Sequence, residues 1–244
     1  MIGLILAAGA GRRLRPDTDQ LPKALLPVDG STTILEIALA NLAAVGLTEA
    51  TVVVGHAAEV VVDRRPELEA QSGVRLNLVH NDRARDWNNA YSLWLARDLI
   101  AEDGALLVNG DTVHPVSVPK TLLAERGPDL LLAVDDQKTL ADEEMKVVLA
   151  GSGQVRRLSK QVDPADADGE YIGLAVIEPE VAQPLAEALA HTWRHDPNRY
   201  YEDGFAEFAR RGGQVRVASV GAVDWVEVDN AADLARAREI ACHY

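Results

Sequence analysis

Ile2-Gly-Leu-Ile-Leu-Ala-Ala-Gly9-Ala-Gly11-Arg12-Arg13-Leu14-Arg15-Pro16, followed after a polar run by Leu21-Pro22-Lys23-Ala24-Leu25-Leu26-Pro27-Val28, is the stretch on which the fold turns. Ile2 to Leu6 form a short apolar run of the kind a fully buried strand shows. Ala7, Ala8, Gly9, Ala10 and Gly11 follow directly. Glycines let a backbone turn tightly and come close to a ligand, and successive backbone N–H groups in such a turn attract anions. Arg12, Arg13, Arg15 and Lys23 add positive charge behind the turn. Three arginines beside two glycines would repel one another without an anion between them. A strand feeding a glycine turn backed by cations outlines a site for a phosphate-rich ligand.

Two familiar phosphate loops are excluded. The dinucleotide fingerprint G-x-G-x-x-G requires glycine where Leu14 stands, and no G-x-x-x-x-G-K-[ST] string occurs. Leu6–Pro16 and Pro22–Val28 instead resemble the signature of the sugar-nucleotidyltransferase-like family, Leu-Ala-Ala-Gly-x-Gly-x-Arg-Leu-x-Pro and then Pro-Lys-x-Leu-Leu-Pro-Val. The position before the family arginine is usually Ser or Thr, and here it is Arg12. The resemblance implies that Leu6 to Arg12 bind the nucleotide. It also implies that Arg13 and Lys23 act at the triphosphate and the reacting α-phosphate.

Composition sets the outer bounds. The 244 residues suffice for a sizeable core, and 48% hydrophobic with 25% charged residues is ordinary for a globular domain. Apolar runs stay below the roughly 18 residues of a membrane span, and no signal peptide is visible, so no membrane and a cytoplasmic setting are expected. Cys242, the single cysteine, excludes an internal disulfide. The net charge of −14 argues against nucleic acid partners, though a local basic pocket can still hold a small phosphate.

Alternating apolar strands and helical stretches from Ile34 to Val79 predict βαβ units and a mostly parallel sheet. Pro66 falls inside the second helical stretch, where it would interrupt it. His80 to Asp86 form a polar loop that enters a helix near Asn88 or Asn89, either a good N-cap. Asn88-Asn89-x-x-Ser92-Leu93 resembles the choline-phosphate cytidylyltransferase branch of the family, which implies nucleotide contacts from Asn81, Asn88, Asn89 and Ser92. Ala105–Val108 reads as a strand ending in Asn109-Gly110-Asp111, and a carboxylate past such a strand end is well placed to hold Mg²⁺. Met145–Leu149 and Val155–Leu158 read as a hairpin, an antiparallel insertion rather than parallel core. Val226 and Val228 alternate with Glu227 and Asp229 as in a strand, and Asp229 or Asn230 would cap the next helix. The family places a metal-binding Asp here, which implies Asp229.

The expected fold is therefore α/β, a Rossmann-like doubly wound and mostly parallel mixed sheet. It forms one nucleotidyltransferase domain over residues 1–244, with a small antiparallel acceptor-binding insertion at roughly 137–175. The expected reaction joins a nucleoside monophosphate from an NTP, with CTP favoured, to a small phosphorylated or phosphonate acceptor, with Mg²⁺ held by Asp111 and Asp229. Lys146, Lys160, Glu170, Tyr171, Glu202, Asp203 and Trp225 are the expected acceptor residues. Aromatic faces near carboxylates suit a quaternary ammonium, so choline phosphate leads. 2-Aminoethylphosphonate follows, and inositol, sugar or cyclitol phosphates remain alternatives. A non-catalytic nucleotide-binding relative would keep the glycine turn but lose the metal carboxylates.

Overall fold

The computed structural model describes residues 1–242. In chain order its elements are β1 (Ile2–Ala7), β2 (Pro27–Asp29), β3 (Thr32–Thr33), α1 (Ile34–Ala44), β4 (Glu49–Val54), α2 (Ala58–Ser72), β5 (Arg75–His80), α3 (Asn89–Leu95) and α4 (Arg97–Asp103). Then come β6 (Ala105–Asn109), β7 (Thr112–Val113), α5 (Ser117–Glu125), β8 (Leu130–Asp135), β9 (Lys146–Leu149), β10 (Val155–Ser159), β11 (Gly169–Ile177), α6 (Pro179–His195), α7 (Tyr201–Arg210), β12 (Val215–Ser219), β13 (Val226–Glu227) and α8 (Ala231–Ala241).

Nine strands form the central sheet. β4, β5 and β6 join β1 in parallel, in the order β5-β4-β1-β6. β11 then enters antiparallel between β6 and β8, and β12 runs parallel to β8 at the far edge. The β9–β10 hairpin extends the sheet through the first residues of β11, where Glu170 pairs with Lys146. The antiparallel stretch thus reaches into the sheet itself, because the second half of β11 pairs along β6 from Leu174 to Ile177.

Helices cover both faces, as a doubly wound sheet requires. Leu35, Leu39 and Leu42 of α1, Val61 and Leu68 of α2, and Val118 and Leu122 of α5 pack one core. Leu93 of α3, Ile100 of α4, Leu185 and Leu189 of α6, and Phe205 and Phe208 of α7 pack the other. Pro66 lies inside α2 without ending it, contrary to expectation. Proline costs about 3 kcal/mol in a helix interior, and burial of Val61 and Leu68 on either side offsets it.

Local chemistry fixes the ends that carry function. Thr33 and Glu36 form a reciprocal capping box at α1. Asn88 is the cap of α3, with its Oδ1 accepting from the Asn89 N–H at 2.8 Å. At α8 the cap is Asn230, which accepts from Ala232 and Asp233, and Asp233 in turn accepts from the Asp229 and Asn230 N–H groups. The Asp229 side chain is thereby left free to point elsewhere.

Candidate active site

The glycine turn leaves β1 at the strand's C-terminal edge. Gly11 has φ 55°, and a Cβ there would lie 3.0 Å from Thr18 and 3.3 Å from Lys23, so only glycine fits without strain. A Cβ on Gly9 would meet nothing within 4 Å, so that position faces open space.

β7 and β13 pair antiparallel, Thr112 opposite Glu227 and Val113 opposite Val226. The Val228 N–H also donates to the Asp111 carbonyl at 2.8 Å. This short ribbon brings three carboxylates, from Asp111, Glu227 and Asp229, within 4.8 Å of one another. Lys23 reaches into the group, with its Nζ 2.7 Å from both Asp111 Oδ2 and Asp229 Oδ1. Arg13 donates to Asp229 Oδ2 at 2.5 Å.

The electrostatics follow from that crowding. Burial alone would lower the pKa of Lys23, whose side chain is only 11% exposed, but Asp111 and Asp229 outweigh it and hold the ammonium above its ordinary value. Burial works to raise Asp229, yet Lys23 and Arg13 keep it below the usual carboxylate range. Glu227 is exposed to the cleft, but protein crowds it closely; this desolvation, with Asp111 and Asp229 alongside, pushes its pKa up to about 8. The direction holds whatever water reaches it, since three carboxylates sharing so small a volume cannot all ionise freely.

Two cavities meet at this cluster. The smaller, about 210 Å³, is lined by Leu6, Ala8, Gly9, Asn88, Asn89 and Ser92 on one side and by Asn109, Tyr171, Glu202 and Lys160 on another. The larger, about 510 Å³, is lined by Asp135, Lys138, Glu144, Glu170 and Trp225 among others. Arg13, Lys160, Glu227 and Asp229 line both.

Some expected residues do other work. Lys146 is fully buried, and its ammonium is spent on the carbonyls of Ala141, Asp142 and Glu144 at 3.1, 2.7 and 3.2 Å. It cannot meet an acceptor, and it holds the loop that presents Glu144. Asp203 is also corrected: its carboxylate accepts from the Tyr200 N–H at 2.9 Å and from Arg199 at 3.2 Å, as the capping partner of α7. Asn88 donates to the Asn198 carbonyl, Asn89 Oδ1 accepts from the Tyr201 N–H, and Asn81 donates to Ser92 Oγ. These side chains form a stiff wall whose hydrogen bonds are largely internal. Arg12 turns away from the cluster and donates to the Arg85 carbonyl at 3.0 Å, beside a separate cavity that Ala10 and Asn81 also line. Trp87, Tyr91 and Trp94 pack with Trp193, at 5.1 to 5.7 Å between ring centroids, and line neither half of the cleft.

Glu227 and Lys138 are site residues that sequence reasoning passed over. The alternation Val226-Glu227-Val228-Asp229 carried the signal for Glu227, since residues two apart share a strand face. Lys138 gave none, because it sits in an irregular loop between β8 and β9.

Gly173 lies within β11 at φ 84°, at a register shift between Tyr171 and Ala175, and the Asn109 side chain occupies the place where a Cβ would lie. Asn109 Oδ1 accepts from the Tyr201 hydroxyl at 2.8 Å, which lies 3.1 Å from the Tyr171 hydroxyl. Glu202 is only 6% exposed, its Oε2 has no hydrogen-bond partner, and burial pushes its pKa up to about 7. A folded pKa above the ordinary 4.5 costs stability as pH rises through that interval. The penalty is nil below the unfolded value and full above the folded one. Glu202→Gln is expected to gain up to about 3 kcal/mol of stability at pH 8 relative to its effect at pH 4. Denaturant melts at the two pH values measure it, and equal changes at both would refute it.

Residues 2–126 match the Nucleotidyl transferase family, and the chain belongs to that family. It is 30% identical over 236 residues, 94% of its length, to the CMP-5'-(3-aminopropyl)phosphonate synthase of Streptomyces rubellomurinus. It is 39% identical over 101 residues, 41% of its length, to the choline-phosphate cytidylyltransferase of Streptococcus pneumoniae. The matches cover 37% of the first relative and 41% of the second, so the chain spans less than two thirds of these curated relatives. The inositol-1-phosphate CTP transferase of T. maritima superposes with a TM-score of 0.80 at 23% identity, over 97% of this chain and 96% of that one, a likeness of fold. Among the described residues no helix is long and apolar enough to cross a membrane.

Proposed function

We propose that this chain transfers a cytidylyl group from CTP to a small phosphonate or phosphate acceptor that carries an ammonium group, releasing pyrophosphate. The observation that carries this reading is the two-part cleft whose halves share Arg13, Glu227 and Asp229. The smaller cavity, walled by the glycine turn, takes the nucleotide. The larger takes the acceptor.

Converging carboxylate oxygens from Asp111, Glu227 and Asp229 are the hard donors Mg²⁺ prefers, and the Lys23 ammonium already lying among them marks the spot as one that stabilises a cation. When bound there, Mg²⁺ supplies Lewis-acid neutralisation of phosphate charge. Lys23 and Arg13 place fixed positive charge where the α-phosphate reacts and pyrophosphate departs. The acceptor oxygen attacks the α-phosphorus, the bond to the β-phosphate breaks, and its electron pair leaves with pyrophosphate. That oxygen is ionised at neutral pH, so no protein base is required. The Ser92 hydroxyl and the Asn89 amide nitrogen are left by the internal bonds to meet the base.

The acceptor reading rests on charge. Among the described residues the larger cavity is lined by eight carboxyl groups against three cations, and with Glu227 pushed up to about 8 and Glu170 by burial to about 7, the six others still outnumber the cations two to one. A dianionic sugar phosphate would meet that wall unfavourably, whereas an aminoalkyl phosphonate presents its ammonium to it. The first-named relative makes a CMP-aminopropylphosphonate, which supports the same choice. Choline phosphate loses the aromatic cage expected for it, since Trp87, Tyr91 and Trp94 pack elsewhere and Trp225 is left as an aromatic wall of the larger cavity.

The test crosses CTP, UTP, dTTP, GTP and ATP with 2-aminoethylphosphonate, 3-aminopropylphosphonate, choline phosphate, inositol phosphate and glucose 1-phosphate, reading pyrophosphate release. CTP with an aminoalkyl phosphonate should turn over fastest. Tight nucleotide binding without turnover for any pair would favour a regulatory nucleotide-binding protein instead.

A further inference from the structure

The acceptor half of the cleft already holds a cation of the chain's own. Lys138 Nζ lies 2.7 Å from Glu170 Oε2 and 3.2 Å from Glu144 Oε1. It also stands 5.2 Å from the centroid of the Trp225 ring, and that indole is fixed in turn by its Nε1–H donating to Asp135 Oδ2 at 2.8 Å. Two carboxylates and an aromatic face are the partners an alkylammonium seeks. All five residues line the 510 Å³ cavity that also reaches Arg13 and Asp229.

Trp225 and Glu144 are anchored by partners other than Lys138, and Glu170 is placed by the backbone pairing of β11. Glu170 and Trp225 come from β11 and from the approach to β13. Glu144 sits on the loop whose carbonyls the buried Lys146 ammonium grips. Lys138 itself belongs to the exposed run 136–139 just after β8, anchored there through its backbone N–H to Asp135 Oδ1. Its side chain can therefore swing out to water while the corner keeps its shape.

We propose that Lys138 is a specificity-determining latch: its ammonium holds the place of the acceptor's ammonium, and an acceptor bearing one displaces it. The exchange is one cation for one, so Glu144 and Glu170 keep a positive partner throughout. An acceptor without a positive group gains nothing by entering the corner and leaves the latch closed. This inference rests on the acceptor reading above and adds the residue that sets its selectivity.

Lys138→Met removes the competitor and leaves the corner standing. Steady-state pyrophosphate release with CTP is compared for 3-aminopropylphosphonate and for propylphosphonate, its uncharged counterpart. The ratio of the propylphosphonate KM to the aminopropylphosphonate KM should rise about ten-fold in Lys138→Met, the worth of one lost ion pair and cation–π contact. Lys138→Arg, which keeps a cation, should hold the ratio near its starting value. A fall in the ratio would assign Lys138 to gripping the acceptor instead, and an unchanged ratio would show that the latch exerts no control. A second readout needs no turnover: calorimetric titration with propylammonium should show tighter binding to Lys138→Met than to the starting protein. Tighter binding without turnover of any acceptor would keep the ammonium corner and refute the reaction; turnover of the aminoalkyl phosphonate with no tightening would keep the reaction and refute the latch.

Discussion

Asp111→Ala is expected to lower NTP-dependent pyrophosphate release by at least about a thousand-fold, roughly 4 kcal/mol of barrier, while the protein still melts cooperatively. Asp111 follows β6 and contributes one of three carboxylates within 4.8 Å, so its loss removes a hard oxygen donor from the proposed Mg²⁺ position. The fold should survive for a local reason. Lys23, the buried group most dependent on Asp111, keeps its 2.7 Å contact with Asp229 and is not orphaned. Metal titration by calorimetry should show weakened Mg²⁺ binding in parallel. Activity within ten-fold of the starting protein would remove Asp111 from the site.

Lys23→Met should cost about a hundred- to a thousand-fold in kcat, the scale seen when one preorganised donor to a reacting oxyanion is lost. Its effect on metal should run the other way. The Lys23 ammonium stands between Asp111 and Asp229, and deleting it leaves Asp111 without its cation and Asp229 with Arg13 alone. Mg²⁺ should then bind at least as tightly as before. The two variants therefore fail differently: Asp111→Ala loses metal and turnover together, and Lys23→Met loses turnover with metal retained. Equal loss of metal affinity in both would overturn the separate roles drawn for the carboxylates and the ammonium.

The doubly wound sheet was legible because its strands are continuous apolar runs divided by helical periods. The glycine turn was legible because few backbones need two glycines followed by cations. Asp111 could be read as a carboxylate past a buried strand, and Asp229 from the resemblance. Glu227 stood in plain alternation with Asp229 and needed only the inference that both point one way. Lys146 shows the opposite limit. Nothing in its neighbours separates a lysine facing an acceptor from one buried among three carbonyls, since the difference lies in how the loop 141–144 folds back. Asp203 failed for a similar reason, being a helix-capping acid that composition cannot tell from a binding one. The aromatics misled through proximity in sequence: Trp87, Tyr91 and Trp94 reach Trp193 only because α3 packs on α6.

The ribbon of β7 and β13 has a consequence for the order of events in synthesis. The stretch matching the family, residues 2–126, already contains the glycine turn, Lys23 and Asp111. The carboxylate cluster, however, is incomplete until Glu227 and Asp229 have emerged and Glu227 pairs across to Thr112. The cluster is thus completed late in synthesis, and a chain halted before residue 226 would lack two of its three carboxylates.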